Sequence, residues 1–401
     1  MASPSYQYVV VGGGLAATSA VEGIREVDQK GSILLVSSEQ HLPYDRPPLS
    51  KKLWFGKKKV DDIYLHGKEF YEQKDITVEL NVTINILDIR NKSVTDLQGT
   101  TYNFVKLLLA TGGKPRRLSM QGGMLEGICY FRTLDDYTTI RREAINGKSA
   151  VIIGGGFIGS ELAAALSHNN VDVTMIFPAP YLAHRIFPER LGLAIQDLYR
   201  TRGIKILAGQ MPSGFSTYNG RFATYTLGNN KIESDMIIAG IGITPSLELA
   251  RHAGLLTANG IIVNEYLQTS SPDIYSAGDN TFFHYPALGK QMRIEHWDNA
   301  LNQGKAAGRN MAGANEPYSY MPYFFSDLFE FGYEAVGDID ASLETFTDWQ
   351  KENETGTIYY LKDGKVRGVM MCNIWKKIEL ARDLIRRADR VTPKKLLGVI
   401  R

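Results

Sequence analysis

Short runs of apolar, largely β-branched residues recur along the chain at Tyr8–Val11, Ile33–Val36, Leu107–Ala110, Ala150–Ile153, Val171–Phe177 and Met236–Ala239. A strand apolar at every position has both faces covered, as in a parallel sheet between helical layers. The first and fourth runs lead directly into stretches of helical period, Ala16–Glu26 and Phe157–Ser167. Strand, turn, helix, strand is the βαβ unit, and it is predicted twice. Between Thr77 and Lys106 the pattern changes to short alternating strands (Thr77–Leu80, Val82–Leu87, Ser93–Thr95), and Gly214–Ile232 repeats that change at the equivalent place in the second half. The plan is a duplicated parallel core, each copy interrupted by a small antiparallel piece. Beyond about Met311 come aromatic, turn-rich strands (Tyr320–Val336, Gly356–Tyr360, Lys365–Met371) and one helix, Lys376–Asp389, predicting a third, α+β domain.

Glycines punctuate the two βαβ units in the same way. Val9-Val10-Val11 is followed by Gly12-Gly13-Gly14 and then Ala17; Val151-Ile152-Ile153 is followed by Gly154-Gly155-Gly156 and then Gly159. In each, the first glycine permits the tight turn and the second lets backbone approach a pyrophosphate. The small third residue lets the helix pack on its strand, with its N-terminus facing the phosphates. One such motif is weak evidence; two, each directly after a buried strand, predict two dinucleotide sites. An acid is expected at the end of the next strand to hold ribose hydroxyls. Near the first site stand Ser38 and Glu39, either of which can fill that place. The second has Phe177-Pro178-Ala179 and no acid, with His184 and Arg185 following, so NADH and NADPH both stay open. Thr111-Gly112-Gly113 and Ala277-Gly278-Asp279 each end a strand with small residues, and Asp279 suits a polyol such as the ribityl chain, which assigns the first site to FAD.

Length and composition narrow the class. A chain of 401 residues exceeds one ordinary core and predicts several domains. A net charge of +2 gives no basis for nucleic-acid or membrane binding, and no apolar run approaches the roughly 18 residues of a membrane span. Two distant cysteines, Cys129 and Cys372, argue for a reducing compartment and against both a disulfide framework and dithiol chemistry. With only seven residues before the first strand, no leader is expected, and the expected location is cytoplasmic.

Further segments carry a resemblance: Leu42-Pro43-Tyr44-Asp45-Arg46-Pro47-Pro48-Leu49-Ser50-Lys51, the stretch Gly154–Leu162, Glu295-His296-Trp297-Asp298, Phe325-Ser326-Asp327, and Gly332-Tyr333-Glu334-Ala335-Val336-Gly337. Over roughly residues 6–340 the chain resembles the two-dinucleotide flavoprotein reductases, and within them the apoptosis-inducing-factor branch and its prokaryotic relatives. Ferredoxin and rubredoxin reductases share the Pro-Pro-Leu-Ser-Lys and Ser-Asp elements. The resemblance implies an α/β chain of two Rossmann-like dinucleotide-binding domains, glutathione-reductase-like, plus a small α+β C-terminal domain. It implies an FAD domain at 1–115 and 244–311, an NAD(P)H domain at 116–243 and a C-terminal domain at 312–401.

By the same resemblance, Arg46 and Lys51 lie against the flavin and Lys51 pairs with Glu161 beside the reactive N5. Glu295, His296 and Phe325 belong to the flavin site. Phe157 covers the nicotinamide, Ile158 and Arg185 belong to its domain, and Gly242 marks the return to the FAD domain. Three departures stand out: Ala179 replaces the acid of the second site, Asp340–Tyr360 is too short for the insertion of the animal proteins, and no mitochondrial leader is evident. A cell-death role is therefore not carried over. The expected function is an FAD-dependent NAD(P)H oxidoreductase with an unidentified acceptor. The alternatives are a ferredoxin or rubredoxin reductase, or a slow redox sensor that dimerises or binds partners with nucleotide. From Lys376 to Arg401 nine basic residues face three acids. That surface suits a small acidic electron-transfer partner, or is simply a solvated helix packed through Ile378, Ala381, Leu384 and Ile385.

Overall fold

The computed structural model describes residues 3–401. They form two compact units, one of residues up to Asp45, Val60–Lys114 and Pro245–Pro322, the other of Arg46–Lys59, Pro115–Thr244 and Tyr323–Arg401.

In the first unit, strands Ile76–Glu79, Ile33–Val36, Ser5–Val11 and Thr101–Leu109 lie side by side in parallel. Ile274–Ser276 pairs in parallel with the carboxyl end of Thr101–Leu109. Residues Val9, Val11, Leu34, Val36, Leu107 and Leu109 form one buried cluster, which is why these strands read as unbroken apolar runs. Ile84–Asp88 and Ser93–Asp96 form the antiparallel piece, continuing onto the start of Thr101–Leu109. Thr77–Leu80 was expected in that piece too. Instead Ile76–Glu79 follows the helix Lys68–Gln73 and extends the parallel sheet, pairing Ile33 with Ile76. A crossover helix returns the chain parallel to its neighbour, and that local context overrides the alternating pattern. The helices Leu15–Val27 and Trp297–Met311 touch backbone to backbone: a Cβ at Gly304 would sit 2.2 Å from the Ala16 carbonyl oxygen.

The second unit holds a five-stranded parallel sheet in the order Lys205–Ala208, Asp172–Phe177, Ser149–Ile153, Met236–Ala239, Ile128–Tyr130. Its antiparallel companion is Pro212–Tyr218, Arg221–Thr226 and Lys231–Ser234. The C-terminal strands form an antiparallel sheet in the order Tyr323–Leu328, Phe331–Gly337, Lys365–Cys372, Thr355–Lys362, Glu344–Lys351, backed by the helix Ile378–Arg387. Residues 46–59, expected within the flavin domain, cluster with this unit. Trp54 anchors them, donating to the Leu49 carbonyl at 2.6 Å and meeting Tyr137 edge-on. Among the described residues no helix is long and apolar enough to cross a membrane.

Candidate functional site

The two glycine loops share one construction. Gly12 has φ +142°, and a Cβ there would lie 2.2 Å from the Ala110 carbonyl oxygen; Gly154 has φ +120°, with Gly240 oxygen at 2.4 Å. Each loop therefore turns hard against the end of the neighbouring parallel strand, where only glycine fits. Gly14 and Gly156 face open space within 4 Å, while a Cβ at Gly159 would strike the Gly154 carbonyl at 2.2 Å and fully buried Ala17 occupies the matching place. Gly14 and Gly156 cap their helices without a side-chain hydrogen bond, and neither first turn carries an acid. Uncommitted amides and a positive helix end, with clear space in front, fit a dinucleotide pyrophosphate.

In the first unit Glu39, Thr111, Gly112 and Asp279 follow the carboxyl ends of the parallel strands, where open α/β sheets bind ligands. Asn280 donates to the Leu109 carbonyl at 3.0 Å and to the Thr111 hydroxyl at 3.1 Å, drawing the Asp279 segment onto the Thr111–Gly112 turn. A Cβ at Gly278 would touch the Ala16 side chain at 3.0 Å, so this segment also borders the first helix. Arg293 donates to the Asp279 carbonyl at 2.9 Å and pairs with Glu295. Buried polar atoms without partners gather here, Asn280 Oδ1, Arg293 Nε and Gln303 Nε2, which fits a polar ligand better than a sealed core. His296 caps the helix Trp297–Met311, and burial, partly opposed by Asp279, lowers its pKa to about 4, so it is neutral at pH 7. Glu39 accepts from the Tyr44 hydroxyl at 2.5 Å, its amide donates to Ser37 Oγ, and Ser38 is exposed. Ser37, not anticipated, is the residue pressed on the loop: a Cβ at Gly13 would lie 2.1 Å from its oxygen.

In the second unit, Gly242 (φ +91°) lies two residues beyond Gly240, as Gly112 (φ +59°) lies two beyond Ala110. Phe157 and Ile158, at the start of the second fingerprint helix, are exposed, and Phe157 meets Phe324 edge-on at 5.6 Å. Exposure of two large apolar side chains beside a glycine loop is what a ring-covering role requires. Arg185 is exposed, in a segment tied to the loop by the Ala183 amide donating to Gly155 oxygen at 2.9 Å.

On the same helix, Glu161 is 6% exposed and pairs with Lys51 Nζ at 3.1 Å; Lys51 is itself 9% exposed. Ser50 Oγ donates to one Glu161 oxygen at 2.5 Å and Ser326 Oγ to the other at 2.6 Å. The carboxylate thus holds an ammonium and two hydroxyls, the satisfaction that lets a buried ion pair persist. Lys51 Nζ also stands 4.5 Å from the Phe325 ring centre, within cation–π reach. Arg46 donates to the Arg132 carbonyl at 2.7 Å, fixing the approach to the short helical turn Pro47–Ser50. Burial, reinforced by the Glu161 charge, raises the Tyr333 and Tyr199 pKa values well above the usual range, so both phenols stay protonated. Ser50 and Ser326 were missed as site residues, although each adjoins an expected one. Cys372 is fully buried and its thiol pKa is raised by that burial; Cys129 is partly buried and raised likewise.

Residues 6–304 match the family described as pyridine nucleotide-disulphide oxidoreductase, and residues 307–357 match the mitochondrion-associated C-terminal domain of apoptosis-inducing factor. The chain is 34% identical to apoptosis-inducing factor 1, mitochondrial, of Dictyostelium discoideum, across 95% of this chain and 78% of that protein. It is 31% identical to the ferredoxin–NAD(+) reductase component of the anthranilate 1,2-dioxygenase system of Burkholderia cepacia, across 97% and 96%. Its fold matches the reductase in the covalent putidaredoxin reductase–putidaredoxin complex with a TM-score of 0.91 at 30% identity, covering 99% of this chain and 96% of that one. Family match, relatives and fold agree: the chain belongs to the pyridine nucleotide-disulphide oxidoreductase family, and it is an FAD-dependent NAD(P)H oxidoreductase that moves hydride from nicotinamide to flavin.

Proposed function

We propose that Lys51 and Glu161 act at the reactive edge of the flavin, and that Gly12, Gly14, Ala17, Ser38, Glu39, Arg46, Thr111, Gly112, Asp279, Glu295, His296 and Phe325 bind FAD. Gly154, Gly156, Phe157, Ile158, Gly159, Arg185 and Gly242 bind NAD(P)H. The domains run 1–115 with 244–311 for FAD, its segment 46–59 packing with the second unit, 116–243 for NAD(P)H and 312–401 at the C-terminus. The observation that carries this reading is the Lys51 ammonium, buried yet contacting one carboxylate and one aromatic ring among the described residues. An ammonium has three donors, so capacity remains for an acceptor on a ligand. The bound cofactors supply hydride donor and acceptor. The chain supplies the rest: Glu161 fixes Lys51, and Lys51 meets negative charge where it develops.

Lys51→Ala is expected to slow flavin reduction by roughly a hundredfold, the scale of one preorganised donor, while altering FAD retention less. Stopped-flow reduction compared with the bound FAD absorbance checks this; an unchanged rate and spectrum would remove Lys51 from the site.

Electrons then pass to a small acidic redox protein in the cytoplasm. The relatives named as ferredoxin reductase and as a putidaredoxin complex support this. So does a basic surface of Lys362, Lys365, Arg367 and Arg390 around Asp363. Arg382 does not contribute to that surface, since it is buried and paired with Glu379 at 2.5 Å. The match to the apoptosis-inducing-factor C-terminal domain favours a second reading, a slowly turning-over sensor that dimerises with nucleotide. A panel of ferredoxin, cytochrome c, ferricyanide and quinone as acceptors separates the two.

A further inference from the structure

We infer that the second glycine loop selects NADPH over NADH, with Arg185 as the specificity-determining residue and His184 as its auxiliary; this rests on the assignment of that loop to the nicotinamide coenzyme. Three features meet at Gly155. A Cβ there would lie 2.7 Å from the Phe177 ring, so the end of the strand Asp172–Phe177 abuts the loop. The Gly155 carbonyl accepts from the Ala183 amide at 2.9 Å, so the segment carrying His184 and Arg185 abuts it too. Ala183 has φ +53°, turning the chain at that contact. The adenosine ribose of a dinucleotide on such a loop lies at the end of this strand.

The chemistry found there suits a phosphate better than a diol. The strand end reads Phe177-Pro178-Ala179-Pro180, and no acid occurs before Glu189. A carboxylate at this place would accept from both ribose hydroxyls and repel a 2′-phosphate; Ala179 does neither. The Ala179 carbonyl is occupied by the Gly209 amide at 2.9 Å, which fixes the strand end in place. Meanwhile Arg185 is exposed and its guanidinium has no partner among the described residues; only its backbone carbonyl is engaged, by the Ala341 amide at 2.9 Å. His184 is exposed and contacts the Tyr181 ring edge-on at 4.7 Å. On the adjoining segment Asp340 accepts from the Ser342 amide at 2.9 Å. The guanidinium is therefore uncommitted, planar and suited to bidentate phosphate recognition.

Calorimetric binding of ADP-ribose and of 2′-phospho-ADP-ribose to the FAD-loaded protein tests this without turnover. The phosphorylated ligand is expected to bind at least about tenfold more tightly, the size of one charge-assisted contact. Arg185→Ala should collapse that ratio towards one, and Ala179→Glu should invert it. Equal affinities in the unaltered protein, tighter binding of ADP-ribose, or a ratio indifferent to both substitutions would overturn the inference. If neither ligand binds, the assignment of the loop to the nicotinamide coenzyme fails, and the inference falls with it.

Discussion

Glu161→Ala is expected to lower stability by about 3–5 kcal/mol, the cost of stranding one partner of a buried ion pair. The loss reflects what the carboxylate holds. Without it the buried Lys51 ammonium loses its counter-charge, and the hydroxyls of Ser50 and Ser326 lose their acceptor. Glu161→Gln keeps an acceptor oxygen for the serines and should fall between. Replacing the pair together, Lys51→Met with Glu161→Leu, removes both charges and should recover much of the lost stability, since apolar isosteres often match a buried pair. Flavin reduction should not recover with it. Urea midpoints of the FAD-loaded variants check the series; a loss below about 1 kcal/mol for Glu161→Ala, as for an exposed pair, would contradict the buried-pair description.

Gly12→Ala and Gly154→Ala should have equally large but separable effects. Both glycines combine a positive φ with a neighbouring carbonyl oxygen far inside van der Waals contact of any Cβ, 2.2 Å at Ala110 and 2.4 Å at Gly240. Neither clash can be relieved by a side chain moving, because both obstacles are backbone. The strained conformation alone costs of order 1–3 kcal/mol, and the strand end must shift as well. Gly12→Ala is expected to yield protein without bound FAD. Gly154→Ala should retain FAD and lose coenzyme binding. Absorbance of the purified variants together with coenzyme titration reads out both, and a Gly12→Ala protein with full FAD would contradict the assignment of the first loop.

Much of this was legible in the amino-acid order because the parallel strands are buried on both faces. Ile33–Val36 and Met236–Ala239 were bounded to the residue for that reason. The glycine loops were legible because backbone geometry leaves few residues able to occupy Gly12 or Gly154. Other features depend on partners distant in the chain. Ile76–Glu79 carries the alternation of a half-exposed strand yet runs parallel, a choice made by the helix before it. Glu344–Lys351, an edge strand with one buried residue, has too little apolar pattern to be recognised. Ser50 and Ser326 are ordinary small polar residues until folding sets both against one carboxylate, 111 and 165 positions away. Glu39, a candidate for ribose, also accepts from the Tyr44 hydroxyl, a contact the sequence pattern does not reveal.

Anaerobic mixing of the FAD-loaded protein with NADPH and, separately, NADH, followed through the absorption of oxidised flavin, tests the central claim most directly. Hydride transfer from nicotinamide to flavin predicts bleaching of that absorption, faster with NADPH at limiting coenzyme. Oxidised flavin left intact by both coenzymes would contradict it.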